Sequence, residues 1–375
     1  MAIINALKTR VSALIIKEML TLFRDPRGRT VLIMPPLMQL FIFAYAATLE
    51  VKNVTLAILN RDSGRHGYEV VQRLHSSSTF TQFFFLASQA EIKPMVDEQR
   101  VMAVIIIPQD FSRDIEAGAQ ASLQVILDGR RSNAAQIVSG YIGDIVNDYD
   151  SELAAERGQK PPPAMLIERN WFNENLLYLW FTVPSLVGIL SMLIALIITA
   201  LSVARERELG TFDQLLVSPL TPFEILLGKT VPAVVVGLAE GLIIWTVAVT
   251  VFGIPFTGSF LWLVFALLIF ILSVVGVGLF ISALSKTQQQ AILGAFIFMV
   301  PAVTLSGYAA PVENMPDWLQ RLTWLNPLKH FLITVKGLFL KNMPFAEVWA
   351  NTWPLLVIGA ITLPIAGWYF NKRME

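Results

Sequence analysis

The chain has 375 residues, 55% of them hydrophobic and 15% charged, with 28 Lys and Arg against 28 Asp and Glu. Soluble domains carry about a quarter charged residues, so the composition excludes a wholly soluble chain, and the zero net charge gives no electrostatic case for binding nucleic acid. The absence of cysteine excludes disulfides, Cys-ligated metals and thiol catalysis.

Residues 2–24 predict an amphipathic helix, with Ile3, Leu7, Val11, Leu14, Ile15 and Leu22 on one side and Asn5, Lys8, Thr9 and Ser12 on the other. Its cationic face suits a cytoplasmic helix lying in the inner membrane interface over residues 1–29. A spanning helix needs about 20 mostly apolar residues. Six segments qualify, roughly 30–49, 176–203, 225–252, 260–284, 290–309 and 352–371. The first is read as an uncleaved span, because a long basic region precedes it and Pro35-Pro36 interrupts its apolar core. Trp171, Trp180, Trp262, Trp349, Trp353 and Trp368 stand near span ends, as expected of an aromatic belt. Lys8, Arg10, Lys17, Arg24, Arg27 and Arg29 before the first span, with Arg205 and Arg207 after the second, put both termini and that loop in the cytoplasm.

Residues 51–172, between the first two spans, differ in kind. Strands are predicted at 54–59, 80–86, 102–107 and 123–127, with helices at 69–74 and 92–98. A long helix follows, with Ile137, Tyr141, Ile145 and Tyr149 at four-residue spacing. That makes a small α/β domain, extracytoplasmic by topology, ending at the stiff linker Lys160 to Pro163. His66 and His75 lack metal-ligand spacing, and Asp144, Asp148 and Glu152 read as a solvated helix face, so the domain is taken as a docking or gating module. The fold expected is a polytopic α-helical membrane protein of six transmembrane helices, with an α/β extracytoplasmic domain inserted between helices 1 and 2.

The loop 204–224 is the most structured of the connections. Arg205, Glu206, Arg207 and Glu208 precede a short helix with Leu209, Phe212, Leu215 and Leu216 on one face, and Ser218-Pro219 stops it. Thr221-Pro222-Phe223-Glu224 then has the pattern of a capping box. An exposed apolar stripe on a loop beside the bilayer predicts a cytoplasmic protein partner. Gly228-Lys229-Thr230 imitates the end of a P-loop, but position 223 is Phe where that motif requires Gly, and the tripeptide lies inside a helix. The sequence has no other nucleotide-binding signature, so energy for any work comes from elsewhere. In the third span Glu240 sits between Gly237 and Gly241, as a pathway or dimer-seam feature or as a packed acid. Beyond the fifth span the extracytoplasmic segment 307–350 carries Gly307, Pro311, Met315, Pro316, Trp318, Asn326 and Pro327, read as a cap over the exit.

The run from Arg205 to Pro219, including Gly210 and Thr211, resembles the signature loop of ABC-2 type transporter permeases. Leu305 to Pro316 with Asn326-Pro327-Leu328 is a second match, and the likeness covers essentially the whole chain. It is closest to the bacterial multidrug-efflux branch with a large outer domain. The resemblance implies a permease subunit without enzymatic activity of its own, in the bacterial inner membrane, pairing with a second permease chain as a homo- or heterodimer. It implies coupling through the 206–218 loop to separate ATP-binding cassette subunits. ATP and Mg would then sit on that partner, this chain would carry no cofactor or metal, and a periplasmic adaptor would meet the outer domain. The Phe-, Met- and Leu-rich spans suit hydrophobic or amphipathic cargo. A sensor or scaffold, with a ligand on the outer domain and an effector on the loop, is the alternative.

Overall fold

The computed structural model describes residues 2–24, 26–45, 53–158, 171–175, 177–212, 217 and 220–372. The chain forms two compact units, one of residues 48–169 and one of 1–47 with 170–375.

The first unit is a four-stranded sheet in the order β2-β1-β3-β4, from β1 (Val54–Asn60), β2 (Phe80–Phe85), β3 (Ala103–Ile107) and β4 (Gln124–Leu127). β1 pairs in parallel with β2 and β3, and β3 pairs antiparallel with β4. Because side chains alternate along a strand, Leu56 and Ile58 face one core while Ala57 and Leu59 face another. The first core is closed by α3 (Arg65–Ser76), α5 (Phe111–Glu116) and α6 (Ser132–Glu156), the second by α4 (Ile92–Asp97). The buried stripe of α6 runs through Ala135, Val138, Ile142 and Tyr149. It departs from the strict four-residue series expected, because at 3.6 residues per turn such a series drifts around the helix, and Tyr141 falls on the exposed side.

The start of α3 has no capping side chain at Gly64. Asp62 and Ser112 do that work from outside the helix. Ser112 Oγ accepts from the amides of His66 at 3.0 Å and Gly67 at 3.3 Å, and donates to Asp62 Oδ2 at 2.5 Å. Both histidines are structural: His66 Nδ1 lies 2.6 Å from the Tyr149 hydroxyl, and His75 stacks on Phe83.

The second unit is helical: α1 (Ala2–Arg24), α2 (Pro26–Tyr45), α7 (Tyr178–Glu208), α8 (Pro222–Thr250), α9 (Phe260–Leu284), α10 (Gln288–Thr304), α11 (Asp317–Leu322), α12 (Pro327–Leu340) and α13 (Phe345–Lys372). Among the described residues α7, α8, α9 and α13 are long and apolar enough to cross a membrane; the apolar parts of α2 (Ile33–Tyr45) and α10 are shorter. The central pair is α7 and α9, which are largely buried by their neighbours. α12 belongs to this core as well: Phe331 stacks on Phe270 of α9 with centroids 4.5 Å apart, and Gly188 of α7 leaves its ring room. Within the 307–350 segment, α12 is thus a core element, with ten of its residues buried.

Candidate functional site: the junction at the charged loop

The capping box is present. Thr221 Oγ1 accepts from the Glu224 amide at 3.3 Å, and Glu224 Oε2 accepts from the Thr221 amide at 2.5 Å. α8 therefore starts abruptly.

Three of the four consecutive charges at the end of α7 are used inside the chain. Arg207 donates to the carbonyls of Ala283 at 2.8 Å and Ser285 at 3.2 Å, where the end of α9 leaves acceptors unsatisfied. Glu208 accepts from the Gln288 amide at 2.7 Å, at the start of α10, where a negative charge is favoured. Glu206, 8% exposed, turns inward. Its Oε1 takes a bond from Lys17 Nζ at 2.8 Å, and its Oε2 lies 2.9 Å from Lys229 Nζ. Lys229 also reaches Glu18 Oε1 at 3.2 Å and donates to the Ser202 carbonyl at 3.0 Å. The expected polar rim on a partner interface is thus corrected for Glu206. A carboxylate buried between two ammonium groups cannot also face a partner without breaking a pair.

The cluster ties three helices, α1, α7 and α8, at one point. Leu14 of α1, 5% exposed, sits against Gly228, where an added Cβ would come within 2.3 Å of Leu14 Cδ2. Gly228 admits α1 and Lys229 fixes it, which accounts for the P-loop lookalike without any nucleotide. The hydrogen bond and charge of Glu206, with the charge of Glu18, hold the Lys17 ammonium above its usual pKa against the opposing effect of burial.

The apolar stripe divides. Phe212 is 8% exposed, packed on Val203, Leu220 and Ile225 with the Arg207 guanidinium 4.9 Å from its ring centroid. It is an internal anchor of the loop, not a side chain open to a partner. Leu209 is 63% exposed, as are Val217 at 86% and Phe223 at 63%, two residues that spacing alone did not select. Gly210 has φ 69°, a left-handed value that lets the chain turn after α7, and the Thr211 amide bonds back to the Glu206 carbonyl at 2.9 Å. Leu215, Leu216 and Pro219 lie outside the described residues.

Glu240 is 5% exposed, and its Oε1 has no hydrogen-bond partner. A Cβ on Gly241 would lie 2.6 Å from Leu267 and 2.7 Å from Ser191 Oγ, and one on Gly237 would lie 3.2 Å from Ile271. The two glycines thus admit α7 and α9 of the same chain. At the other end Asn326 caps α12, accepting from the Leu328 amide at 3.1 Å, and its Nδ2 donates to the Ala302 carbonyl of α10 at 2.7 Å. Pro327 begins the helix. Gly307 turns the chain at φ 84°, Met315 gives its carbonyl to Gln320 at 2.8 Å, and Pro316 precedes α11. Trp318 is 68% exposed, and Pro311 is exposed as well.

Residues 28–368 match the family described as ABC-2 family transporter protein. The chain belongs to the ABC-2 transporter family. It is 47% identical over 365 residues to the Escherichia coli (strain K12) protein named "Probable multidrug ABC transporter permease YbhR", covering 97% of this chain and 99% of that one. It is 32% identical to the same organism's "Probable multidrug ABC transporter permease YbhS", over 97% of each chain. It is 29% identical to that organism's "Inner membrane transport permease YhhJ", over 96% of each. The chain is accordingly a membrane-embedded transporter protein of the ABC-2 permease type.

Proposed function

We propose that this chain is the permease subunit of an ABC exporter, working as a dimer with separate ATP-binding cassette subunits that dock on the loop after α7. Six spans with both termini in the cytoplasm, in a bacterial inner membrane, suit the positive-inside pattern, with α2 and α10 as the two shorter crossings. The names of the relatives and the apolar helices support cargo of hydrophobic or amphipathic, drug-like character. The outer α/β unit suits a periplasmic adaptor.

One observation carries the coupling role: Glu206, beside the loop, is ion-paired at 2.8 and 2.9 Å to lysines on α1 and α8. A push on the loop is then felt by three helices together. Leu209, Val217 and Phe223 are the apolar surface offered to the ATPase, since Phe212 is occupied inside. The test is export and ATP hydrolysis in vesicles holding the permease with its ATPase. Val217→Asp is expected to weaken ATPase capture, and Lys229→Met to leave capture intact while export falls at least tenfold. Native export by Lys229→Met would overturn the coupling role.

A further inference from the structure

A cavity of about 320 Å³ opens beside the ion cluster, between α1 and the facing sides of α7 and α8. Binding pockets for small molecules start at about 300 Å³. Its two ends differ in chemistry. One end is apolar, formed by Leu22, Ile198, Leu201 and Pro232; the other carries Lys17, Arg205 and Lys229 against Glu18 and Glu206. Three cations face two carboxylates, so the wall has one uncompensated positive charge.

That charge is Arg205. Lys17 and Lys229 are paired with the carboxylates. The Arg205 side chain makes no ion pair or hydrogen bond among the described residues, although it is only partly exposed. Ser202 Oγ, also on the wall, is buried without a partner. A guanidinium presents a planar fork suited to phosphate, sulfonate or carboxylate oxygens. The outer face of α1 exposes Ile16 at 57%, Leu20 at 43% and Phe23 at 45%, the surface of a helix lying among lipid tails. Such an apolar surface beside the cavity suits an occupant that carries a tail.

We infer that this cavity binds an anionic amphipath, its anion on Arg205 and its apolar body against Ile198, Leu201 and Pro232. The chemistry is shared by an anionic phospholipid of the inner leaflet and by a single-chain amphipathic anion. This goes beyond the exporter assignment. Binding is measured on the permease without an ATPase, so its failure leaves that assignment standing.

The experiment uses the full chain purified in dodecyl maltoside. Equilibrium dialysis below micellar concentration compares dodecyl phosphate with dodecyltrimethylammonium, and native mass spectrometry scores retained phosphatidylglycerol against phosphatidylcholine. Dodecyl phosphate is expected to bind at one per chain and at least tenfold more tightly than the ammonium. Arg205→Gln should weaken it at least tenfold, Arg205→Lys should retain most of it, and Leu201→Trp, which fills the apolar end, should abolish it. Arg321→Gln, on α11, should bind as the native chain does. Retained phosphatidylglycerol that dodecyl phosphate displaces identifies the lipid; saturable dodecyl phosphate binding without it identifies a single-chain ligand. Equal binding of the two detergents, or native binding by both Arg205→Gln and Leu201→Trp, overturns the inference. If Arg205→Gln does not fold, Arg205→Lys and Leu201→Trp decide it.

Discussion

Lys229 Nζ lies 2.9 Å from Glu206 Oε2 and 3.2 Å from Glu18 Oε1, with its side chain only 1% exposed. One ammonium in α8 thus holds the end of α7 and the middle of α1. Removing one partner of a buried pair typically costs about 3–5 kcal/mol, because the survivor keeps its desolvation without compensation. Lys229→Met leaves two carboxylates facing Lys17 alone. Its unfolding midpoint in detergent should fall, and the double variant Lys229→Met/Glu206→Gln should recover part of the loss. Equal midpoints for the native and single variants would remove the cluster from the stability of the junction.

Phe212 tests whether the loop is anchored from within. Phe212→Ala should cost about 3 kcal/mol locally, as for other packed aromatics, and should open the loop to protease in the isolated permease. If cleavage changes only when the ATPase is present, the ring belongs to the partner contact instead.

Asp62 carries a pH prediction for the α/β unit. Burial pushes its carboxyl up, but hydrogen bonds from Ser112, Gly64 and Gly67 outweigh that and hold it below the usual carboxylate value. A carboxyl lowered on folding contributes stability that is present above its unfolded value of about 3.9 and lost as pH falls through the folded value. Amide exchange at His66 and Gly67 should therefore rise as pH drops through this range, after correction for intrinsic rates. Asp62→Asn should exchange faster at neutral pH and lose that dependence.

Glu240 is predicted to be a cost to the fold. A buried polar group without a partner is unfavourable by about 1–3 kcal/mol, and Glu240 Oε1 is one. Glu240→Met keeps the unbranched shape and should raise the unfolding midpoint. A fall would mean that the acid is satisfied in the assembled transporter.

Asn326 should matter through its cap. Asn326→Ala removes the bonds to Leu328 and Ala302 and should cost about 1–2 kcal/mol, seen as faster exchange at the first amides of α12. Unchanged exchange there would show that Pro327 alone sets the helix start.

Local rules were the legible ones. The four strands and the helices α3, α4 and α6 followed from alternation and turns, though the short α5 did not, and the Thr221 capping box followed from four consecutive residues. What spacing could not show was which partner each side chain finds. Glu206 and Lys229 look like a loop charge and a failed P-loop until the fold brings them together with Glu18. Phe212 looked exposed because a periodic stripe has no sign: it marks a face to be covered, by this chain or another. α12 was missed as a core element because 14 residues are too few for a span, yet enough to fill the space between α7 and α9.

The positions of the cluster in the sequence carry a last consequence. Glu18 and Lys229 are 211 residues apart, and Lys17 and Glu206 are 189. At ordinary ribosomal speeds α1 waits on the order of 10–40 s before Lys229 is made. During that wait Glu18 lacks Lys229, and Leu14 has no Gly228 to rest on. The docking of α1 thus waits until well over half of the chain has been made. It can close only once α7 and α8 stand in register, so the same lysine joins segments made far apart in time.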